Sequence, residues 1–284
     1  MTQPNDAPQG GAETSFLAAV AAHDPSGLAC FRVAAVLAHP DDETIACGGL
    51  LGLLASPLLV HVTDGAPRNM ADAIACGFAS REAYAAARRR ELEAAVAEAG
   101  VPPARLLSLG IADQDATRSI PAGARALARR LTEHRSEIVL AHAFEGGHPD
   151  HDAAALIVHA AAALVRADGR GDPLVIEMPL YHRTPEGGMA VQRFADPACG
   201  EAVLRLGPDE RTRKARMLAA HATQAGVLAA FAPADEPFRA APARDFTVLP
   251  NEGRVHYDGR GWGLTAAEWP PLASAALREL GLAP

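Results

Sequence analysis

The segment Phe31-Arg-Val-Ala-Ala-Val-Leu-Ala38, followed at once by His39-Pro-Asp-Asp-Glu43, decides the fold of this chain. A continuous apolar run of this length predicts a strand that is buried on both faces, as in a parallel sheet covered by helices. In open parallel sheets, ligands bind beyond the carboxyl ends of the strands. The polar residues 39–43 therefore stand where a functional site is expected.

Apolar runs and helical patterns alternate over the first 180 residues. The runs that predict strands are 31–38, 58–63, 106–109, 137–143 and 173–180. The patterns that predict helices are 44–55, 81–99, 123–134 and 151–167. This order predicts an α/β fold with a Rossmann-like, mostly parallel sheet and helices on both faces.

Beyond residue 181 the alternation stops. A weaker strand pattern at 203–206 and a helical pattern from about 208 to 231 precede the stretch 232–271, which is rich in Pro and Gly, and a short final helix. The chain shows no internal repeat and no linker of low complexity. We therefore expect a single domain over residues 1–284, with a core at about 31–231 and an elaborated C-terminal cap at 232–284.

The composition is that of a globular protein with a sizeable core. The 284 residues include 26 Lys and Arg against 34 Asp and Glu, which gives a net charge of -8, and 49% are hydrophobic. These values exclude a disordered chain, and the negative charge argues against general affinity for nucleic acid or anionic membranes. The four cysteines, at positions 30, 47, 76 and 199, include no close pair. We expect free thiols in a reducing compartment.

Two segments bear on location. The first residues lack the basic start of a signal peptide, so we expect a cytoplasmic protein. The uncharged stretch 44–60 approaches the length of a membrane span, but Gly48, Gly49, Gly52 and Ser56-Pro57 interrupt it. We predict a buried helix followed by a buried strand there, and no membrane span.

A second polar segment, Phe144-Glu-Gly-Gly-His148-Pro-Asp150-His151, follows the fourth predicted strand. Capping of helix ends by carboxylates, or histidines in surface loops, would explain each segment separately. The same residue types at two strand ends favour a shared site. If the strands are neighbours, His39, Asp42 and His151 converge on one ion. Two imidazoles and one carboxylate with open positions suit catalytic zinc and also non-haem iron(II).

The motifs Ala38-His-Pro-Asp-Asp-Glu43 and Gly147-His-Pro-Asp-His151 resemble the two signature motifs of the LmbE-like or PIG-L family of zinc-dependent deacetylases, which act on N-acetylglucosamine-type amides. Weaker matches follow in the family's order: Thr63-Asp-Gly65, Arg88 with Glu91, Gly110-Ile-Ala-Asp113, and Lys214 with His221-Ala-Thr-Gln224. The matches cover about residues 31–225. The paired motifs are highly specific, whereas each smaller match alone is weak.

The resemblance implies a role for each matching residue. His39, Asp42 and His151 match the zinc ligands, Asp41 matches the general base, and His148, oriented by Asp150, matches the histidine that stabilises the transition state. Arg88 and Asp113 fall near positions that contact sugar hydroxyls in relatives. Otherwise Arg88 belongs to a solvated helix face and Asp113 to a turn.

There is one departure from the family pattern. Some relatives have a tyrosine two positions before the histidine of the second motif, where it helps to hold the developing oxyanion. Here that position is Gly146. The resemblance therefore leaves open which group replaces the tyrosine as a donor.

The implied mechanism uses these residues in turn. Zinc would polarise the amide carbonyl and lower the pKa of a bound water to about 7. Asp41 would accept the proton of that water, and Asp41 or His148 would protonate the leaving amine. His148, kept protonated by Asp150, would counter the oxyanion.

Several nearby polar residues have simpler explanations. Glu43 has a sufficient role as an acid in the first turn of a helix. Asp64 either contacts the substrate or the residues that bind the metal, or it forms an Asx-turn. The remaining histidines are expected in packing or surface roles, with a supporting role at the site left open for His142 and His221.

The leading hypothesis is a zinc-dependent amidohydrolase that removes an acetyl or other acyl group from an N-acylated amino sugar or a related small polar molecule. We expect a small-molecule or glycoconjugate partner and no nucleic acid; homo-oligomerisation is left open. An iron(II) oxygenase could use the same ligands, although such enzymes are usually β-barrels. A non-catalytic metal-containing sugar-binding module is the third alternative.

Overall fold

In a computed structural model of the chain, residues 10–196 and 200–283 are described. The strands are β1 (Val33–Leu37), β2 (Leu58–Pro67), β3 (Leu106–Asp113), β4 (Ile138–His142), β5 (Leu174–Met178), β6 (Tyr181–Arg183), β7 (Met189–Val191), β8 (Ala202–Leu204) and β9 (Glu236–Ala240). Seven of them form one sheet in the order β3-β2-β1-β4-β5-β9-β8. The first five of that order run parallel, whereas β9 is antiparallel to both β5 and β8.

Helices cover both faces of this sheet. They are α1 (Gly10–Ala21), α2 (Pro25–Leu28), α3 (Asp42–Leu51), α4 (Ala71–Ala75), α5 (Arg81–Ala97), α6 (Ile120–His134), α7 (Pro149–Ala167), α8 (Pro208–Ala220), α9 (Ala225–Leu228) and α10 (Trp269–Leu280). Short 3-10 turns connect several of them. The predicted fold class is confirmed.

The central strand β1 shows why its sequence is apolar throughout. Val33, Ala35 and Leu37 pack into a core that includes residues of α1, α3, α5 and α8. Ala34 and Val36 pack into a second core with α6, α7 and α10. All five side chains are at most 2% exposed. Alternate side chains of a strand point to opposite faces, so a strand between two helix layers needs apolar residues at every position.

The C-terminal part of the chain differs from the sequence prediction. The predicted helix at 208–231 is divided at His221 into α8 and the short α9. β9 lies within the stretch rich in Pro and Gly, where no strand was predicted, and pairs between β5 and β8. The expected core boundary at residue 231 therefore precedes a strand of the main sheet.

The uncharged stretch 44–60 forms most of α3 and the start of β2, in agreement with the prediction. None of the helices in the described part of the chain is both long and apolar enough to cross a membrane. Cys30, Cys47 and Cys76 are free thiols, as predicted. Cys199 lies outside the described residues.

Candidate metal centre and active site

Neighbouring parallel strands bring the two polar segments together. β1 and β4 pair with Val36 beside Ala141, so the residues that follow them lie at the same edge of the sheet. The ring centroids of His39 and His151 are 5.3 Å apart, and those of His39 and His148 are 4.7 Å apart. The geometry on which the predicted ion site depends is therefore present.

The carboxylate of Asp42 lies among these imidazoles. Its Oδ2 accepts a 2.8 Å hydrogen bond from the backbone N–H of His39 and is 3.4 Å from Nδ1 of the same residue. Its Oδ1 is 3.4 Å from Nε2 of His151. Nε2 of His142 is 3.3 Å from Oδ2. One buried carboxylate thus contacts the rings of both predicted histidine ligands.

Three overlapping groups of side chains have the spacing needed to hold a metal ion. In each, one ligand atom per residue lies within 4.8 Å of the others: His39, His148 and His151; Asp42, His142 and His151; and His39, Asp113 and Asp150. The predicted ligands His39, Asp42 and His151 are spread over these groups and do not form one of them. Imidazole nitrogens and carboxylate oxygens are the donors that zinc uses, so the residues present fit a divalent metal.

Asp41 adopts a strained backbone conformation beside this cluster. Its φ of 142° lies in a region that favours glycine. Its backbone N–H donates to Oε2 of Glu43 at 3.0 Å, and its Oδ2 accepts from Nη2 of Arg88 at 2.9 Å. Burial raises the pKa of Asp41 to about 7, although the Arg88 guanidinium opposes that rise. The predicted general base is thus fixed from two sides.

Arg88 is buried rather than part of a solvated helix face. Only 4% of it is exposed, and besides Asp41 it donates to the backbone oxygens of Gly65 (2.6 Å) and Pro40 (2.8 Å). Gly65 has a φ of 68°, and a Cβ there would lie 2.5 Å from Nη1 of Arg88. The Thr-Asp-Gly turn therefore needs glycine because the guanidinium approaches its backbone.

Glu43 has more contacts than an acid in a first helical turn requires. It is completely buried, and its carboxylate accepts hydrogen bonds from Thr44 Oγ1 (2.7 Å) and His61 Nε2 (3.1 Å), besides the Asp41 N–H. His221 Nε2 lies 3.3 Å from it. Burial favours a higher pKa, but the hydrogen bonds of His221 and His61 prevail and hold the pKa of Glu43 well below its usual range. Glu43 therefore joins Asp41 to two other parts of the chain.

Asp150 and His148 do not form the expected carboxylate–imidazole contact. The Asp150 carboxylate accepts from the backbone N–H groups of Gln114 (2.6 Å) and Ala116 (3.2 Å) and lies 3.3 Å from Nε2 of His39. His148 caps α7, with its Nδ1 accepting from the Asp150 backbone N–H at 3.1 Å. Burial lowers the pKa of His148 to about 3, against the expectation of a protonated ring.

Asp113 and His142 also reach the site. Asp113 ends β3, is 7% exposed, and its Oδ1 is 3.3 Å from Nε2 of His39. It is therefore not a solvated turn residue. The ring of His142 stacks on that of His151 at 4.4 Å, and its Nε2 accepts from the Ala38 N–H at 2.9 Å. His142 thus contacts two of the predicted metal ligands, Asp42 and His151.

A cavity of about 430 Å3 opens above the cluster. Its floor includes His39, Asp41, Asp42, Arg88, Asp113, His148 and His151, and its walls include Tyr84, Tyr181, Thr223, Gln224, Val227, Phe231 and Trp262. The ring of Trp262 lies 4.8 Å from that of His148, and the ring of Tyr181 packs edge to face on His151 at 5.3 Å. All eight predicted site residues except Asp150, which lies behind His39, line this cavity.

The wall residues 223 and 224 are tied to helix α5. The Glu91 carboxylate accepts from the backbone N–H and the hydroxyl of Thr223 at 2.9 and 2.7 Å. The side-chain amide of Gln224 donates to the Tyr84 hydroxyl at 2.6 Å. The residues of two weak sequence matches, Glu91 and the segment 221–224, therefore contact each other.

Sequence reasoning missed His61, Tyr181 and Trp262. Tyr181 stands three residues beyond β5, at the same sheet edge as the two motifs, and this position was the available signal. His61 lies inside a strand, and Trp262 lies in the loop before α10. No spacing in the sequence connects either of them to the motifs.

Residues 34–162 match the family model PIG-L, described as GlcNAc-PI de-N-acetylase. The matched segment contains both motifs, which confirms the predicted resemblance to this family. A de-N-acetylase is a hydrolase that acts on a linear amide, so the predicted class of enzyme is confirmed by the family. No curated protein matches the chain.

Several solved structures share the fold at low sequence identity. The A40926 pseudoaglycone deacetylase Dbv21 is 19% identical, covering 75% of this chain and 99% of its own, with a TM-score of 0.56. The zinc inhibited form of teicoplanin deacetylase Orf2 is 15% identical, covering 75% and 100%, with a TM-score of 0.50. N,N'-diacetylchitobiose deacetylase from Pyrococcus horikoshii is 16% identical, covering 84% and 95%, with a TM-score of 0.53.

Proposed function

We propose that this protein is a zinc-dependent amidohydrolase that removes an acetyl or other acyl group from an N-acylated amino sugar or a related small polar substrate. The observation that carries the proposal is the meeting of two sequence-distant motifs at one buried cluster beneath a cavity. The match of residues 34–162 to the model of a de-N-acetylase family supports the type of reaction. We also propose that the whole chain forms one domain.

In this proposal His39, Asp42 and His151 hold the ion. They are the residues whose imidazoles face one carboxylate. A bound zinc ion supplies Lewis-acid polarisation of the carbonyl and a lower pKa for water. His142, stacked on His151, and Asp150, which contacts His39, orient the two imidazoles.

Asp41 is the proposed general base. It accepts a proton from the attacking water as the carbon–oxygen bond forms, and it passes that proton to the amine nitrogen as the carbon–nitrogen bond breaks. The products are a carboxylic acid and an amine, so the proton balance closes within the site. Arg88 holds the carboxylate at 2.9 Å and fixes its orientation toward the cavity.

His148 can act as a donor without a positive charge. Because its Nδ1 accepts the Asp150 N–H, the neutral ring carries its proton on Nε2. His148 lines the cavity, so this proton is available to a carbonyl oxygen that gains negative charge. Asp150 therefore contributes through its backbone to the choice of tautomer.

Asp113 and Arg88 are the proposed contacts for substrate hydroxyls. Both line the cavity. Oδ1 of Asp113 faces Nε2 of His39 at 3.3 Å, and a carboxylate has further acceptor sites for a substrate hydroxyl. Both terminal nitrogens of Arg88 already donate to protein oxygens, so its contact with substrate is secondary to its hold on Asp41.

Amine release from a panel of N-acyl amino sugars, with and without a chelator, tests the proposal. We expect release from at least one N-acetylated sugar, loss of activity with the chelator, and recovery on adding zinc under anaerobic conditions. His151→Ala should lose both metal and activity. His134→Ala, at a histidine outside the cavity that contacts Ser136, is the matched control and should keep both.

Three results would contradict the proposal. The first is full activity in the chelator. The second is activity that depends on iron and oxygen, which would favour an oxygenase. The third is tight sugar binding with no amine release from any member of the panel, which would favour a binding module.

A further inference from the structure

The chain contains three tyrosines, and their hydroxyls have different surroundings. The Tyr84 hydroxyl accepts the side-chain amide of Gln224 at 2.6 Å. The Tyr257 hydroxyl is buried beside the Asp152 carboxylate and does not line the cavity. Tyr181 lines the cavity, and no hydrogen bond joins its hydroxyl to another described residue.

The other hydroxyl-bearing wall residue, Thr223, is also occupied. Its hydroxyl donates to Glu91 at 2.7 Å. Among the described hydroxyls of the cavity wall, that of Tyr181 alone is left without a protein partner. An unpaired hydroxyl in a half-buried site is costly unless water or a ligand completes its hydrogen bonds.

The position of Tyr181 is fixed by the fold. It follows β5, the strand that pairs with β4 on the side away from β1. Its backbone oxygen lies so close to Gly147 that a Cβ there would overlap it. Its ring packs edge to face on His151, at 5.3 Å between centroids. Tyr181 thus stands beside the second motif although it is thirty residues later in the chain.

Two uncharged hydrogen-bond donors, His148 and Tyr181, lie around the ring of His151. His148 and Tyr181 both pack around His151, whose ring centroid is 5.3 Å from each of theirs. A phenol is protonated at neutral pH, because its ordinary pKa is about 10. A carbonyl oxygen seated above His151 would therefore meet an imidazole N–H on one side and a phenol O–H on another.

We propose that Tyr181 is a catalytic residue that donates a hydrogen bond to the carbonyl oxygen of the substrate as its negative charge develops. The assignment rests on the proposed amide hydrolysis. Water adds to the carbonyl carbon, the carbonyl oxygen takes the electron pair, and the Tyr181 hydroxyl stabilises that oxygen without giving up its proton. When the carbon–nitrogen bond breaks, the carbonyl re-forms and the amine leaves with the proton carried by Asp41.

The test uses Tyr181→Phe, which removes only the hydroxyl, and Tyr257→Phe as the matched control. For an N-acetyl amino sugar, we expect kcat of Tyr181→Phe to fall about 10- to 100-fold, with KM and metal content unchanged. Tyr257→Phe should keep the wild-type kcat. For the trifluoroacetyl analogue, whose oxyanion needs less help, the loss in Tyr181→Phe should shrink. A loss of equal size on both substrates, or a kcat equal to that of the wild type, would overturn the assignment.

A binding measurement separates this assignment from the function itself. The methylphosphonamidate of glucosamine carries tetrahedral oxygens where the intermediate has them. By calorimetry, Tyr181→Phe should bind it about tenfold or more weakly than the wild type, and Tyr257→Phe should bind it as tightly. Equal binding by all three proteins removes Tyr181 from the mechanism. A further outcome is weaker binding of the inhibitor by Tyr181→Phe while the wild type releases no amine from any N-acyl sugar. That pair of results would contradict the proposed function but keep Tyr181 as a hydrogen-bond donor to the ligand oxygen.

Discussion

Two buried glutamates, Glu43 after β1 and Glu145 after β4, lie in the two polar segments but have opposite surroundings. Glu43 contacts two imidazoles, and its pKa is held well below the usual range. Glu145 accepts a 2.6 Å hydrogen bond from the Ala195 N–H, and burial raises its pKa to about 8. One is a buried carboxylate held by two imidazoles, and the other is a buried acid whose protonated form is favoured by burial.

This difference extends to the whole of each segment. Asp41, Asp42 and Glu43 are fixed by ion pairs and hydrogen bonds to distant parts of the chain. His148 and His151 are fixed by ring packing against Trp262 and Tyr181. The first segment therefore has mainly electrostatic partners, whereas the second adds contacts with the aromatic wall to the pair of His151 with Asp42.

The largest expected effect concerns the first segment. Asp41→Asn keeps an oxygen for Arg88 but cannot accept a proton, so kcat should fall about 10²- to 10⁴-fold while metal content stays at the wild-type level. Steady-state kinetics and metal analysis of the same preparation check this. Asp115→Asn, which alters an ion pair outside the cavity, should change neither. Metal lost in parallel with activity would show that Asp41 is a ligand and not the base.

The next effect is on stability. Glu43→Ala leaves two buried imidazoles without their acceptor, and the free energy of unfolding should fall by about 3 kcal/mol or more. Urea denaturation measures it. Glu133→Ala breaks an exposed pair with Arg130 and should cost less than about 1 kcal/mol. A similar small loss in both variants would mean that the buried contacts around Glu43 contribute little.

The raised pKa of Glu145 predicts that the free energy of unfolding falls as the pH rises, whereas the lowered pKa of Glu43 acts in the other direction. An acid whose pKa is higher in the folded state stabilises that state most below its unfolded pKa of about 4.5. That contribution is lost as the pH rises to about 8. Between pH 5 and 8.5 the wild type should lose about 4 kcal/mol of unfolding free energy that Glu145→Gln retains. Parallel stability profiles for the two proteins would show that Glu145 ionises normally in the folded state.

The smallest expected effect concerns the aromatic wall. Trp262→Leu removes the ring that packs on His148, and KM should rise about three- to tenfold with kcat nearly unchanged. Trp262→Phe keeps an aromatic face and should lie between the wild type and the leucine variant. A large fall in kcat for Trp262→Leu would show that this ring positions His148 for the chemical step as well.

The sequence was most informative where chemistry and strand ends coincide. The apolar run before His39 and the repeated His-Pro-Asp pattern predict the α/β fold and bring His39, Asp42 and His151 to one edge of a sheet. Both follow from a local rule, because the carboxyl ends of neighbouring parallel strands meet. The same rule did not identify Tyr181, since an isolated tyrosine after a strand carries no repeated pattern.

The contacts of individual side chains were harder to predict from the sequence. Arg88 was compatible with a solvated helix face, and only the close approach of Gly65 and Asp41 shows that it is buried. Glu43 was assigned a helix-terminal role because its partners His61 and His221 lie 18 and 178 positions away along the sequence. Long-range pairs of this kind depend on how the layers pack, which one sequence does not show.

The position of β9 limits how this protein can be recombined with its relatives. β9 enters the sheet between β5 and β8, and Glu236 in it accepts the backbone N–H groups of Gly49 and Leu50 and pairs with the buried Lys214. A chimera joined at residue 231 would therefore exchange an internal strand and separate Glu236 from Lys214, its charge partner. A junction after Ala240 keeps the sheet whole and transfers only the loops and α10, which carry Trp262.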